Sequence, residues 1–281
     1  MTIRYRKTLI KHAIRFAAAL LSVATLAGTA ACGGSKPEGN KTVEANVLTV
    51  GTAQPAYEPW IHNNKPENGE GFESAVAYAV AKKLGYDKSH VKWVRTTFDS
   101  AVTPGPKDFD FNIQQFSITE ERKKTVDFSP SYYNATQSVV VKKDGKFASA
   151  KSLADLKSST IGAMVGTTSY DAAKKIKGDI QTFNDNDALA QALNSGQIDA
   201  LVIDTPSAFV MVQTDEVKNS TVVGQIAGSE DKEGMGIVLP KDSKLTKDVT
   251  KAINELEKDG TLKKLQDKWL AEFTTKVREL K

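Results

Sequence analysis

Two charged residues stand where their neighbours give no reason for them. Arg122 falls in the first turn of the short polar helix that begins at Thr119 in SITEERKKTVDFS, residues 117–129. Thr119 is a sound N-cap, and Glu120 and Glu121 suit the positive end of a helix, whereas a cation there opposes the dipole. Arg122 either pairs with Glu120 or Glu121 on a solvated surface, or its planar fork holds a carboxylate from elsewhere. Asp204 ends the apolar run 198–203, where a lone charge is costly without a partner. It either caps the helix opening at Thr205-Pro206 or receives an ammonium group. A guanidinium and a carboxylate, far apart in the chain, are together what a zwitterion needs.

Other residues could complete such a site. In GAMVGTTSYD, 162–171, a strand runs into Gly166 and a helix start at Thr167, Thr168 and Ser169. Free N–H groups there favour an anion, and the same hydroxyls also serve as a plain N-cap. No Gly-Lys-Ser/Thr pattern follows, so this is not a phosphate loop. Tyr57, Trp60 and Phe98 follow strands, either as loop anchors or as a ring lining for a ligand's carbon chain. Three scattered histidines and one cysteine build no zinc, haem or disulfide pattern, so no metal and no cofactor are expected.

The elements that must position these residues alternate. Strands are expected at 47–51, 91–95 and 109–113, with a helix at 72–84 whose apolar residues keep helical spacing up to Gly85. The pattern then repeats: strands at 160–165 and 198–203, and helices at 170–177, 185–194 and from Thr205-Pro206. Strands at 222–226 and 235–239 precede helices at 245–259 and 262–273. Such alternation predicts an α/β fold with mostly parallel sheets, in two blocks rather than one large sheet. In open α/β sheets ligands sit beyond the carboxyl ends of the strands, and the residues above all follow strands.

The first 31 residues carry Arg4, Arg6, Lys7, Lys11, Arg15 and no acid, then an apolar run from Phe16 to Ala31. A basic region, an apolar region shorter than the ~20 residues of a spanning helix, and small residues at the exit form a secretory signal. Without those five cations, 38 Lys+Arg become 33 against 34 Asp+Glu, a net charge of −1. That excludes the basic face a nucleic acid demands. Thr29-Ala30-Ala31-Cys32-Gly33 resembles the lipobox of bacterial lipoproteins, which implies that Cys32 becomes the acylated first residue of an exported chain; the alternative is plain cleavage after Ala31 with Cys32 left as a free thiol. Residues 32–46 read as a lipidated cysteine and a flexible tether. The expected location is the outer face of the cell membrane.

Six segments then carry a resemblance: GFESAVAYAVAKKLG (71–85), FNIQQFSITEERKKTVDFSPSYY (111–133), GAMVGTTSYDAAKK (162–175), GQIDALVIDTPSA (196–208), GIVLPKDSKL (236–245) and KKLQDKWL (263–270). In order and spacing they resemble the polar amino-acid solute-binding proteins of ABC importers. The resemblance implies an α/β, two-lobed periplasmic-binding-protein fold with two hinge strands and an interlobe ligand cleft. Lobe one would be 47–132 plus 236–281, lobe two 137–230, and the hinge 133–136 and 231–235. It makes Arg122 the carboxylate-binding arginine and Asp204 the ammonium-binding aspartate. Gln115 and Ser117 would contact the ligand's backbone groups, Thr167 and Thr168 would form the lobe-two helix start, and Phe98 and Tyr57 the aromatic lining. Ala53, Met164 and Ile203 stand where some members carry a charge, which favours a neutral or polar side chain on the ligand.

The expected function is capture of a free amino acid, as a monomer, for ABC permease subunits. An enzyme such as a dehydratase on the same fold would need a general acid, with Glu58 and His62 the loop candidates. A sensor's ligand domain would need a spanning helix or a signalling domain, and neither is legible.

Overall fold

The computed structural model describes residues 41–274 and 277–281. The expected signal segment and Cys32 lie outside the described residues. The tether expected as far as residue 46 is fastened at its far end: Val43 N–H donates to Asp110 at 2.7 Å, and Glu44 pairs with Lys92 at 2.9 Å.

Strand β1 (Leu48–Ala53) lies between β2 (Val91–Thr96) and β3 (Phe111–Asn112), parallel to both. The sheet is completed by β10 (Met235–Pro240) and β4 (Val126–Tyr133), in the order β2-β1-β3-β10-β4. Helix α1 (Phe72–Lys83) covers it. Phe72, Val76, Ala77 and Val80 join Leu48, Val50, Phe111 and Ile237 in one core. Residues spaced by three and four fall on one face of a helix, so this stripe could be read from sequence. The Gly85 stop is also observed: Tyr86 N–H returns to Ala81 C=O at 2.9 Å and Gly85 N–H to Lys82 C=O at 3.1 Å.

The second sheet runs β11-β9-β5-β8-β6-β7. Its strands are β5 (Gln137–Lys142), β6 (Ile161–Met164), β7 (Gln181–Phe183), β8 (Ala200–Asp204), β9 (Ser220–Ile226) and β11 (Glu279–Leu280). Alternate residues feed two cores. Val139, Val141, Ala200 and Val202 face one side, and Val140, Leu201 and Ile203 the other, against α5 (Asn186–Ser195) and α6 (Thr205–Gln213). Burial on both faces is why 200–203 reads as a continuous apolar run.

The chain passes between the sheets at 134–136 and at 227–234, and again between β10 and β11; the first two crossings touch, with Asp231 N–H donating to Ala135 C=O at 3.1 Å. Both sheets are therefore mixed rather than mostly parallel. Strand β10 is antiparallel to β3 and β4, and β5 to β8 and β9. The sequence reading had no strand at β4, because Pro130 interrupts it; β4 is an edge strand, where proline is tolerated. The chain end, expected with the first sheet, instead adds β11 in parallel to β9. Before it, α7 (Thr246–Lys258) and α8 (Thr261–Trp269) pack on the first core through Val249, Ile253 and Leu262.

Two glycines bracket α1 at nearly the same backbone angle. Gly71 has φ 90° and Gly85 has φ 88°. A Cβ on Gly71 would stand 2.5 Å from Trp60 C=O and 2.8 Å from His62 N, whereas nothing lies within 4 Å of one on Gly85. Gly85→Ala is expected to cost about 1–2 kcal/mol for the left-handed angle alone. Gly71→Ala must also move backbone and is expected to cost more, in a urea-unfolding comparison of the two variants.

Candidate functional site

A cavity of about 460 Å3 opens between the two sheets' carboxyl ends. Ala53, Gln54 and Tyr57 reach it from beyond β1, Thr96, Phe98 and Asp99 from the end of β2, and Gln114, Gln115 and Ser117 from beyond β3. Met164, Thr167 and Thr168 follow β6, Asn184 to Asn186 follow β7, and Asp204 ends β8. All eight residues singled out from sequence, Tyr57, Phe98, Gln115, Ser117, Arg122, Thr167, Thr168 and Asp204, line this one space. Phe98 differs in its setting. It opens helix α2 (Phe98–Val102), capped by Thr97, rather than lying in a loop. Trp60 is fully buried in the first core, as the anchor reading had it.

The geometry also separates the alternatives left open for the two charges. Glu120 pairs with Lys123 and Glu121 with Lys124, so neither neighbour holds Arg122. The guanidinium instead donates to two carbonyls, Ser117 C=O at 2.7 Å and Gly166 C=O at 2.9 Å, the second across the cleft. Phe98 lies against it, 5.0 Å from ring centre to guanidinium carbon. Asp204 makes no side-chain bond to the helix it precedes. Its Oδ1 accepts from Gln137 Nε2 at 2.7 Å, and Gln137 Oε1 accepts from Ser169 Oγ at 2.6 Å. A buried relay thus aims the carboxylate at the cavity. Thr167 does cap α4 (Thr168–Ala173), accepting from Tyr170 N–H at 3.2 Å.

The family description "Bacterial extracellular solute-binding proteins, family 3" matches residues 48–272. The chain belongs to that family. It is 31% identical over 244 residues to the arginine-binding extracellular protein ArtP of Bacillus subtilis (strain 168), covering 85% of this chain and 91% of the relative. It is 30% identical over 272 residues to the ABC transporter glutamine-binding protein GlnH of the same organism, covering 92% and 97%. Among solved structures, an ancestral arginine-binding protein bound to arginine is similar at a TM-score of 0.66 and 36% identity, over 80% of this chain and 98% of that one. This solute-binding protein therefore has the expected two-lobed α/β fold, and among its described residues no helix is long and apolar enough to cross a membrane.

Three further groups of bonds in the solute-binding protein escaped the sequence reading. Trp60 Nε1 donates to Ser207 Oγ at 2.9 Å across the cleft. Ser117 Oγ lies 3.0 Å from Asp231 Oδ2 and 3.1 Å from Thr168 Oγ1, tying the crossing segment to both lobes. Buried Glu73 accepts from Gln115 N–H at 2.7 Å and from Tyr132 Oη and Gln115 Nε2. Gln115 has φ 52°, an angle that costs a side-chain-bearing residue about 1–2 kcal/mol, and Glu73 holds it there. Glu73 was legible as the one acid on the apolar face of α1. Asp231 was not, because its meaning depends on the second crossing.

Burial raises the carboxyls of Glu73 and Asp204 to about 7. For Asp204, the nearby Asp231 and Glu73 add to this, while Gln137 and Arg122 oppose it. Asp231 is raised as well, again by burial first. The Arg122 guanidinium is pulled down by burial and supported by Asp231, Asp171, Asp204 and Asp99; it stays charged. Between about pH 4.5 and 7 the folded protein therefore holds protons that the unfolded chain releases. Stability falls as pH rises through that window and levels off above it. The ligand-free melting temperature is expected to be higher at pH 5 than at pH 7.5, and Glu73→Gln to shrink that difference. A melting temperature that rises with pH across this range would contradict the assignment.

Proposed function

We propose that this solute-binding protein captures a free α-amino acid between its lobes and presents it to the membrane subunits of an ABC importer. One observation carries the reading. Arg122 and Asp204 face a single cavity from opposite lobes, and neither has an oppositely charged side chain within 4.0 Å among the described residues. A ligand carboxylate replaces the backbone carbonyls on the guanidinium fork and takes further bonds from Ser117 and Thr168. The ligand ammonium meets Asp204, and Tyr57 and Phe98 flank the carbon chain. Each charge pair strengthens as the lobes exclude water, so binding favours the closed arrangement.

The names of the relatives support this assignment, since they include arginine- and glutamine-binding proteins. We read the protein as a binder rather than an enzyme. Glu58 and His62, the acid–base candidates from sequence, pair with each other at 2.9 Å and do not line the cavity. On the N-terminal sequence, Cys32 is acylated after signal removal and anchors a monomeric chain to the outer face of the membrane.

By calorimetry, Arg122→Ala is expected to weaken amino-acid binding about 100-fold or more, the usual scale for stripping one partner from a buried charge pair. Near-native affinity in that variant would sink the clamp. Because ammonium binding needs the ionised carboxylate, affinity is expected to fall as pH drops below about 7, and Asp204→Asn to bind weakly with no such dependence.

A further inference from the structure

Four ionisable side chains line the cavity: Arg122, Asp99, Asp185 and Asp204. A zwitterion bound as above neutralises Arg122 and Asp204. It leaves two carboxylates facing the ligand with no counter-charge. No Lys or Arg lies within 4.0 Å of Asp99 or Asp185 among the described residues.

The two are not equivalent. Asp99 lies at the Arg122 end. Its Oδ1 would be 3.6 Å from a Cβ on Gly166, the residue whose carbonyl Arg122 holds. Asp99 is also exposed, so solvent and Arg122 can answer its charge. Asp185, between Asn184 and Asn186, is not among the carboxylates that act on Arg122, and it is only partly exposed. Its field, with those of Asp187 and Glu216, bears on the Tyr57 hydroxyl, which burial and these carboxylates together raise above its ordinary value. Asp185 Oδ1 is occupied, capping α5 by accepting from Ala188 N–H at 2.8 Å. Its Oδ2 accepts from no described residue.

We infer that the bound amino acid carries a cation on its side chain, and that Asp185, at the Tyr57 end of the cavity, receives it. This rests on the clamp formed by Arg122 and Asp204. A long side chain that runs from that clamp past Phe98, which lies against Arg122, to Tyr57 enters the field of Asp185, and the cavity has the volume of a small-molecule site. Closing the lobes over a neutral side chain would desolvate Asp185 without return, and an acidic side chain would add a like charge. A guanidinium or ammonium group removes that cost. The absence of acid at Ala53, Met164 and Ile203, which favoured a neutral side chain on sequence grounds, is offset by a carboxylate from a loop those positions do not predict.

The test pairs arginine with citrulline, which has the same length and shape without the charge, and adds lysine, glutamine and glutamate. Calorimetry on the full chain at pH 7.5 is expected to show arginine or lysine at least about tenfold tighter than citrulline and glutamine, with glutamate weakest. Asp185→Asn keeps a capping side chain, so the ligand-free fold is expected to survive; the arginine-to-citrulline ratio is expected to drop to within about threefold of one. Citrulline or glutamine binding as tightly as arginine would overturn the inference and leave the clamp standing. An unchanged ratio in Asp185→Asn would overturn the role of Asp185. Failure of every α-amino acid to bind would bring down the clamp, and the inference with it.

Discussion

Arg122 and Asp204 are charges held at the edge of water without a partner of their own. Burying an ion costs several kcal/mol unless something answers it, and here the answers are incomplete. Arg122 has backbone carbonyls, which satisfy its N–H groups but not its charge. Asp204 has one amide from Gln137 and two carboxylates nearby that make its ionisation harder. Such an arrangement is poor for stability and good for binding, because a ligand with the complementary pair removes both penalties at once. The rest of the molecule serves to maintain it.

That maintenance is visible in the packing. The residues behind the site are more completely bonded than the site itself. Gln137 is fully buried and uses its amide at both ends, from Ser169 to Asp204. Glu73 spends its carboxylate on Gln115 and Tyr132, holding a backbone angle that places the strand end at the cavity. Both rest on hydrophobic cores built by the alternation of strand residues and the stripe of α1. A rigid support under an unsatisfied surface is the preorganisation that keeps the ordering cost of binding small.

The two lobes join at the crossings. Segments 134–136 and 227–234 pass between the sheets, as does the chain from β10 to β11, and side-chain bonds from one lobe to the other gather around the cavity: Trp60 with Ser207, Arg122 with Gly166, Ser117 with Thr168. Asp231, on the second crossing, touches Ser117 directly. The second crossing is thus in contact with a group that lines the cavity, and the two share one hydrogen-bonded cluster.

Much of this was determined by the sequence alone. Helical spacing from Phe72 to Gly85, the doubly apolar run before Asp204, and two charges out of keeping with their neighbours are local properties, legible because strands and helices impose short periods. They were enough to assign the α/β class, and together with the resemblance of six segments to a known family they selected eight residues that line one cavity. Tertiary structure decided what depends on sequence-distant neighbours. It set the antiparallel return of β10 and β5, the pairing of β11 with the second sheet, the partners of Glu73 and Asp231, and the arrival of Asp185 at the same cavity as Arg122 and Asp204. A carboxylate that caps a helix looks the same in sequence whether its second oxygen faces solvent or a binding cavity. Only the packing of one lobe against the other distinguishes them.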